Sequence, residues 1–137
     1  EIFADTASFA ILKEMYPGSL LKRAGPEHYG KEFLSLKMAI KTVRSFEQGL
    51  HFVQEKTLRH SEAIISTNRS HVREFLETID AAVVYDNIST RFTDGGEFGM
   101  GAEVGISTQK LHARGPMGAE ALTSYKWVVS GETAIRE

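Results

Sequence analysis

The chain of 137 residues contains no cysteine. That excludes a disulfide framework, a thiolate metal site and a cysteine nucleophile supplied by this chain. It has little imbalance of charge, a formal −2 with a pI near 6.2, which gives no bulk reason to expect nucleic acid or an anionic membrane as partner. No apolar run approaches the roughly 18 residues that would span a bilayer, and no signal peptide opens the chain. Three prolines and the absence of repeats or low-complexity tracts leave an ordinary globular composition, 42% hydrophobic and 25% charged, enough for one domain. The chain opens on Glu1 rather than methionine, as a processed product or a piece of a longer protein would.

What is present is an alternation of strand-like and helix-like segments. Glu1 to Ala4 read as the end of a strand. Asp5 or Thr6 then caps a helix that turns Phe9, Leu12 and Met15 inward, and Pro17-Gly18 stops it. Ser19 to Lys22 read as a short strand, and Ala24 to Gly30 as a connector. Lys37 to Val43 is apolar and β-branched, as a strand requires. At Ser45-Phe46-Glu47-Gln48 the spacing predicts a capping box, the glutamine returning to the cap, with Phe46, Leu50 and Val53 following at helical intervals.

Ala63 to Ser66 read as a short buried strand. Asn68 caps the clearest helix, which carries Val72, Phe75, Leu76 and Ile79 on one face. Ala81 to Tyr85 read as a core strand, Gly115 to Thr123 as a short helix with Pro116 in its first turn, and Tyr125 to Val129 as a last strand. This rhythm predicts an α/β layer with parallel pairings.

Residues 95–118 hold more than half of the twelve glycines. Gly99-x-Gly101-x-x-x-Gly105 is one residue too long for a dinucleotide fingerprint, and Ile106-Ser107-Thr108 opens a long helix poorly. Glycines that let an irregular loop lie against other backbone are the preferred reading. The five histidines (His28, His51, His60, His71 and His112) are scattered without metal-ligand spacing. His60-Ser61-Glu62 shares only its composition with a catalytic triad. Lys110, His112 and Arg114 share one face of an extended chain, to receive a phosphate or carboxylate or to form a solvated edge; both readings stand. Asn87-Ile88-Ser89-Thr90-Arg91 follows the core strand, where parallel sheets gather ligands, and its arginine suits an acidic substrate.

Three stretches carry a resemblance. "NISTRFTDGGEFGMGAEVGISTQKLHARGPMGAEALTSYKW" (residues 87–127), "HSEAIIST" (60–67) and "EFLSLKMAIKTV" (32–43) resemble the γ-glutamyl phosphate reductase family, with recognisable motifs over roughly residues 27–137. The resemblance implies the three-layer αβα catalytic domain of the aldehyde dehydrogenase-like fold. Residues 1–137 would be its C-terminal part, with 106–137 including a projecting, subunit-bridging oligomerisation segment. It implies an oxidoreductase of proline biosynthesis that reduces L-glutamyl 5-phosphate to L-glutamate 5-semialdehyde and phosphate with NADPH, after a cysteine captures the acyl group. The chain lacks that cysteine, and the isolated chain is expected to be inactive. The alternative is a non-catalytic binding or assembly module that retains the fold.

Carried over by position, Glu32 matches a carboxylate that binds the ribose of the cofactor, the remainder of which a missing domain would bind. Asn87, Ser89, Thr90 and Arg91 match a loop bordering the substrate, and Gly95 to Gly105 match a segment beside the active site. A homo-oligomer, a functional link to glutamate 5-kinase and a cytoplasmic location are implied, or a mitochondrial one if the parent is a bifunctional eukaryotic synthase. The family generally has a hydrophobic residue at Asp86 and alanine at Ile88. A carboxylate ending a core strand must reach solvent or find a donor such as Arg91.

Overall fold

A computed structural model describes residues 1–106, 110, 113–132 and 135. The first strand, β1 (Ile2–Ala4), is followed at once by α1 (Thr6–Leu12). Asp5 starts that helix: its carboxylate accepts the Ser8 amide at 2.8 Å, satisfying a donor with no partner inside the helix. The helix ends after Leu12, whose carbonyl takes the amides of both Met15 and Tyr16 in a closing turn. Met15 therefore lies beyond the inward face on which it was expected and is 72% exposed.

A 3-10 turn over Gly18–Leu20 leads into β2 (Leu21–Arg23), one residue later than the sequence reading placed the strand's end. After a connector containing a second such turn, Pro26–His28, comes β3 (Met38–Ile40). Strand β1 lies between the other two and pairs in parallel with both, Ile2 opposite Leu21 on one side and Met38 on the other. The expected strand from Lys37 to Val43 is short because β1 offers three residues; Asp5 donates its amide to the Ile40 carbonyl and the ladder stops.

Ser45 caps α2 (Phe46–Lys56) by accepting the Gln48 amide. The reciprocal bond departs from the expected box: Gln48 Oε1 takes the amide of Arg44, one residue before the cap. Next come β4 (Ser61–Ile64), α3 (Arg69–Thr78) and β5 (Val83–Asp86). Asn68 caps α3, accepting amides from Ser70 and His71. Strands β4 and β5 form a separate parallel pair, with Ser61 opposite Val83 and Ile64 opposite Asp86.

The apolar core is where α2, α3 and this pair meet. Leu50, Phe75 and Ile79 are buried there, with Phe46, Val53, Ile64, Ala81 and Val84 packed around them. Leu76, expected on the same helical face, is 38% exposed, and Ile65 is 76% exposed because pairing of β4 ends one residue earlier.

The chain past β5 departs further from expectation. A 3-10 turn over Ala119–Leu122 replaces the helix expected from Gly115, because Pro116 is buried and Met117 is drawn into an antiparallel bridge with Gly105. Tyr125 to Val129 form no strand among the described residues. No neighbouring strand takes their amides, and Tyr125, Trp127 and Val129 are exposed. The architecture is mixed helix and parallel strand, as the sequence rhythm implies.

Candidate functional site

The connector before β3 passes close under the end of α2. Gly30 makes this possible: its φ is +70°, and a Cβ there would stand 2.6 Å from the Lys56 carbonyl oxygen. The close approach brings Lys31, Glu32 and Phe33 to the rim of an open cleft of about 780 Å³. Phe3 anchors this wall, stacked on His28 with centroids 4.0 Å apart and on Phe33 at 5.5 Å. Tyr29, on the same wall, packs edge-on against Phe52, and burial, with Asp5 nearby, pushes its phenol above the ordinary range.

The opposite wall is built from the start of β4 and the turn after β5. Ser89 accepts the Arg91 amide at 3.2 Å and so caps the 3-10 turn Thr90–Phe92. That turn places Thr90 and Arg91 in the cleft with Glu32. Asn87 and Ser89 stand outside it. Asn87 adopts a left-handed conformation, φ 54°, and spends its side-chain amide on the backbone of Ser66, accepting its N–H at 2.9 Å and donating to its carbonyl at 3.0 Å. It also lies 3.4 Å from an Asp86 oxygen through Nδ2. This amide, rather than Arg91, is the donor that Asp86 finds.

Lys31, Lys37, Lys56 and Arg91 line the cleft against Glu32 and Glu62. Glu62 accepts the Thr57 hydroxyl, while Lys37 and Lys56 pair with Glu1 and Glu55. The guanidinium of Arg91 has no partner among the described residues. These pairings leave the cleft no excess of positive charge, so it is the unpartnered Arg91 guanidinium, rather than net charge, that favours an anionic group of a ligand. His60, Ser61 and Thr93 also line the cleft, and sequence reasoning singled out none of them for it. The only signal was the stretch "HSEAIIST" itself, since the contact that joins Ser61 to Thr93 spans 32 positions. No triad forms: Ser61 Oγ is 3.2 Å from His60 Nδ1, but Glu62 is turned to Thr57.

The glycine-rich stretch closes on its own chain. Gly95 is buried and donates its amide to Glu103 at 3.0 Å, and a Cβ on it would stand 2.6 Å from the Ala102 carbonyl oxygen. Val104 donates to Met117 and Met117 to Gly105, at 2.8 and 2.9 Å. Gly99 and Gly101 both take φ +73°. The amides from Gly95 to Met100 are engaged within the loop, by Glu103, Asp94 and the carbonyls of Asp94, Gly96 and Gly95, so they are not turned to a pyrophosphate. Thr93 enters the cleft; the glycines that follow it do not line it.

The basic face of residues 110–114 is likewise occupied. Lys110 Nζ lies 2.6 Å from Asp80 Oδ2, and Arg114 donates to Asp80 Oδ1 at 2.8 Å and to its carbonyl at 3.3 Å. Lys110 and then Arg114 hold the Asp80 carboxyl at about 2, against partial burial that would raise it. Of the two readings left open by the sequence, neither a free anion site nor a merely solvated edge describes these two side chains. His112, with Ser107 and Thr108, lies outside the described residues. Among the described residues there is no group of His, Asp and Glu able to hold a metal ion, and no helix is long and apolar enough to cross a membrane.

No protein-family model matches the chain. It is 58% identical over 135 residues to a γ-glutamyl phosphate reductase of Chlorobium limicola, and 56% identical over 135 residues to one of Bacteroides thetaiotaomicron. Each alignment covers 98% of this chain and 32% of the relative. The crystal structure of γ-glutamyl phosphate reductase from Thermotoga maritima superposes with a TM-score of 0.87 at 42% identity, over 100% of this chain and 32% of that one. A mixed fold of helix and parallel strand, like the matching part of that reductase structure, is the class that this fold and these likenesses define. The chain belongs to the γ-glutamyl phosphate reductase family, and spans about a third of the length of the curated relatives it matches.

Proposed function

We propose that the chain forms one side of the active site of an NADPH-dependent reductase that converts L-glutamyl 5-phosphate to L-glutamate 5-semialdehyde and phosphate, a step of proline biosynthesis. The observation that carries this reading is the cleft, where Glu32 meets Thr90 and Arg91 in a chain 58% identical to a γ-glutamyl phosphate reductase. On this reading the segment is the C-terminal part of a three-layer, aldehyde dehydrogenase-like catalytic domain. Arg91 binds an anionic group of the substrate, Thr90 adds a hydroxyl, and Asn87 and Ser89 hold the turn that presents both.

The residues present fit part of NADPH. Glu32 is an exposed carboxylate on the cleft rim, suited to accept hydrogen bonds from ribose hydroxyls. The glycine loop is poorly suited to the pyrophosphate, because the amides from Gly95 to Met100 serve Glu103, Asp94 and neighbouring carbonyls. When bound, the cofactor supplies hydride. The chain contains no cysteine, so a thiolate that captures the acyl group comes from outside it. What supports a homo-oligomer is the stretch Tyr125–Val129, where Tyr125, Trp127, Val128 and Val129 are all exposed, an apolar run of the kind that a second subunit would cover. Glutamate 5-kinase chemistry would supply the acyl phosphate, and a cytoplasmic setting suits it.

The test is the reverse reaction, phosphate-dependent oxidation of glutamate semialdehyde with NADP⁺. The 137-residue chain alone shows no turnover, whereas the longer reductase that carries it does. In the forward direction, with acyl phosphate and NADPH, Arg91→Ala in that longer protein raises KM for the acyl phosphate by about ten-fold or more, the cost of a charge-assisted hydrogen bond. Turnover by the isolated chain would refute the proposal. An inactive longer protein would favour a binding or assembly module instead.

A further inference from the structure

A line of hydroxyls runs from the interior to the cleft. Tyr85 Oη lies 2.9 Å from Thr93 Oγ1, Thr93 Oγ1 lies 2.7 Å from Ser61 Oγ, and Ser61 Oγ lies 3.2 Å from Nδ1 of His60. The line joins β5, the segment after it and the start of β4. Tyr85 and Thr93 are half-buried, Ser61 is partly covered, and His60 is exposed on the cleft wall.

Each hydroxyl has one proton to give. A phenol is the better donor of the three, and Thr93 is the acceptor that the structure offers it. If Tyr85 donates to Thr93, the Thr93 proton goes to Ser61 and the Ser61 proton to Nδ1 of His60. The opposite direction would leave the Tyr85 proton without an acceptor among the described residues, in a half-buried place. Bonds aligned in one direction also polarise and strengthen one another. With Nδ1 accepting, the neutral ring carries its proton on Nε2, which has no partner among the described residues.

We propose that the Tyr85–Thr93–Ser61 hydroxyls hold His60 as the Nε2–H tautomer, so that it serves as a neutral hydrogen-bond donor to an anionic oxygen of the ligand in the cleft. The identity of that ligand as an acyl phosphate rests on the function proposed above; the tautomer does not. Ser61, Thr93 and Tyr85 are positioning residues that act through His60. Arg91 supplies charge in the same cleft, while His60 supplies direction, since a ring fixed at one nitrogen presents its other N–H along one line.

Nitrogen-15 spectra of the histidine rings in the 137-residue chain, recorded near pH 8.5 where an ordinary imidazole is neutral, test the tautomer. The wild-type His60 Nδ1 resonance should lie at the limit for an unprotonated nitrogen. Ser61→Ala and Thr93→Val should each move it toward the averaged position of a freely interconverting ring, and Thr93→Ser should restore the limit. An averaged position in the wild type, or no response to Ser61→Ala, overturns the proposal.

In the longer reductase, Thr93→Val should raise KM for the acyl phosphate about ten-fold with kcat little changed, the signature of lost binding, and Thr93→Ser should recover it. Unchanged KM overturns the donor role of His60. No turnover by the longer protein overturns the acyl-phosphate ligand, while the ring spectra decide the hydroxyl line separately.

Discussion

The two sheets of this chain are held by different forces. In the β2-β1-β3 sheet the fully packed apolar residues are small in number and size: Ala4 and Leu21 are buried, and Ser8 is the buried polar residue beside them. A polar latch on Asp5 ties its parts together. One carboxylate oxygen accepts the Ser8 amide, the other the Thr42 amide at 2.7 Å, and the Ser8 and Thr42 hydroxyls lie 2.7 Å apart. The latch joins the start of α1 to the chain leaving β3, residues 37 positions apart. The β4-β5 pair rests instead on the Leu50, Phe75 and Ile79 cluster and on helices that cover it. Burial scales with area and tolerates acid, whereas a latch of three hydrogen bonds onto one carboxylate, from the Ser8 amide and the Thr42 amide and hydroxyl, depends on one ionised group. The first half should therefore fail by charge and the second by volume.

Phe75→Ala is the most severe break in that contrast. Phe75 is 5% exposed at the centre of the cluster, and removing a buried phenyl costs about 3–5 kcal/mol. Chemical denaturation should show the loss at every pH from 3 to 8, about equally. A loss confined to low pH would mean that charge also holds the second half.

Much of this arrangement was legible in the sequence, where the information is local. Asp5, Ser45 and Asn68 act as the caps their side chains suit, and the periodic Val72, Phe75 and Ile79 are buried on one helix face. Parallel pairing followed from strands alternating with helices. What was not legible depends on distant partners. Strand ends shifted by one to three residues because a ladder is as long as its neighbour, as at β3 and β4. Lys110 and Arg114 looked like a free basic face because nothing in residues 110–114 points to Asp80. In the candidate site, Glu32 follows from the family resemblance and Thr90 and Arg91 from their chemistry after a core strand, and the three share a cleft, whereas Asn87 and Ser89 have the right chemistry but spend it on backbone. His60 and Thr93 were missed, since their relation to the cleft comes from a contact across the β4-β5 layer.

The second break is acid. Chiefly the Ser8 amide, with the Thr42 amide and hydroxyl behind it, holds the Asp5 carboxyl at about 2, below the ordinary 3.8, against partial burial that would raise it. A folded value below the unfolded one means stability that is present in full above roughly pH 5 and lost as pH falls toward 2. Asp5→Ala removes both the cap and the tie to Thr42 and should cost about 1–2 kcal/mol at pH 7. It should also flatten the acid limb of the stability curve. Phe75→Ala should leave that limb intact, so the pair of variants separates volume from charge.

The smallest effect tests whether charge in the second half matters to its stability at all. Asp80, between α3 and β5, has a carboxyl also held at about 2, first by Lys110 and then by Arg114. Its side chain is 41% exposed, and Lys110 is 62% exposed, so water and salt screen the pairing. Asp80→Asn keeps the shape and removes the charge. Global unfolding should change little, because the Leu50, Phe75 and Ile79 cluster is untouched. The local consequence lies in the segment that Arg114 tethers: the amides of Val104 and Met117, which bridge it to the glycine loop, should exchange with solvent faster. Salt should produce the same acceleration in the wild type and add little in the variant. A large fall in global stability would show that the second half, like the first, is fastened by a carboxylate, and the contrast between the sheets would be lost.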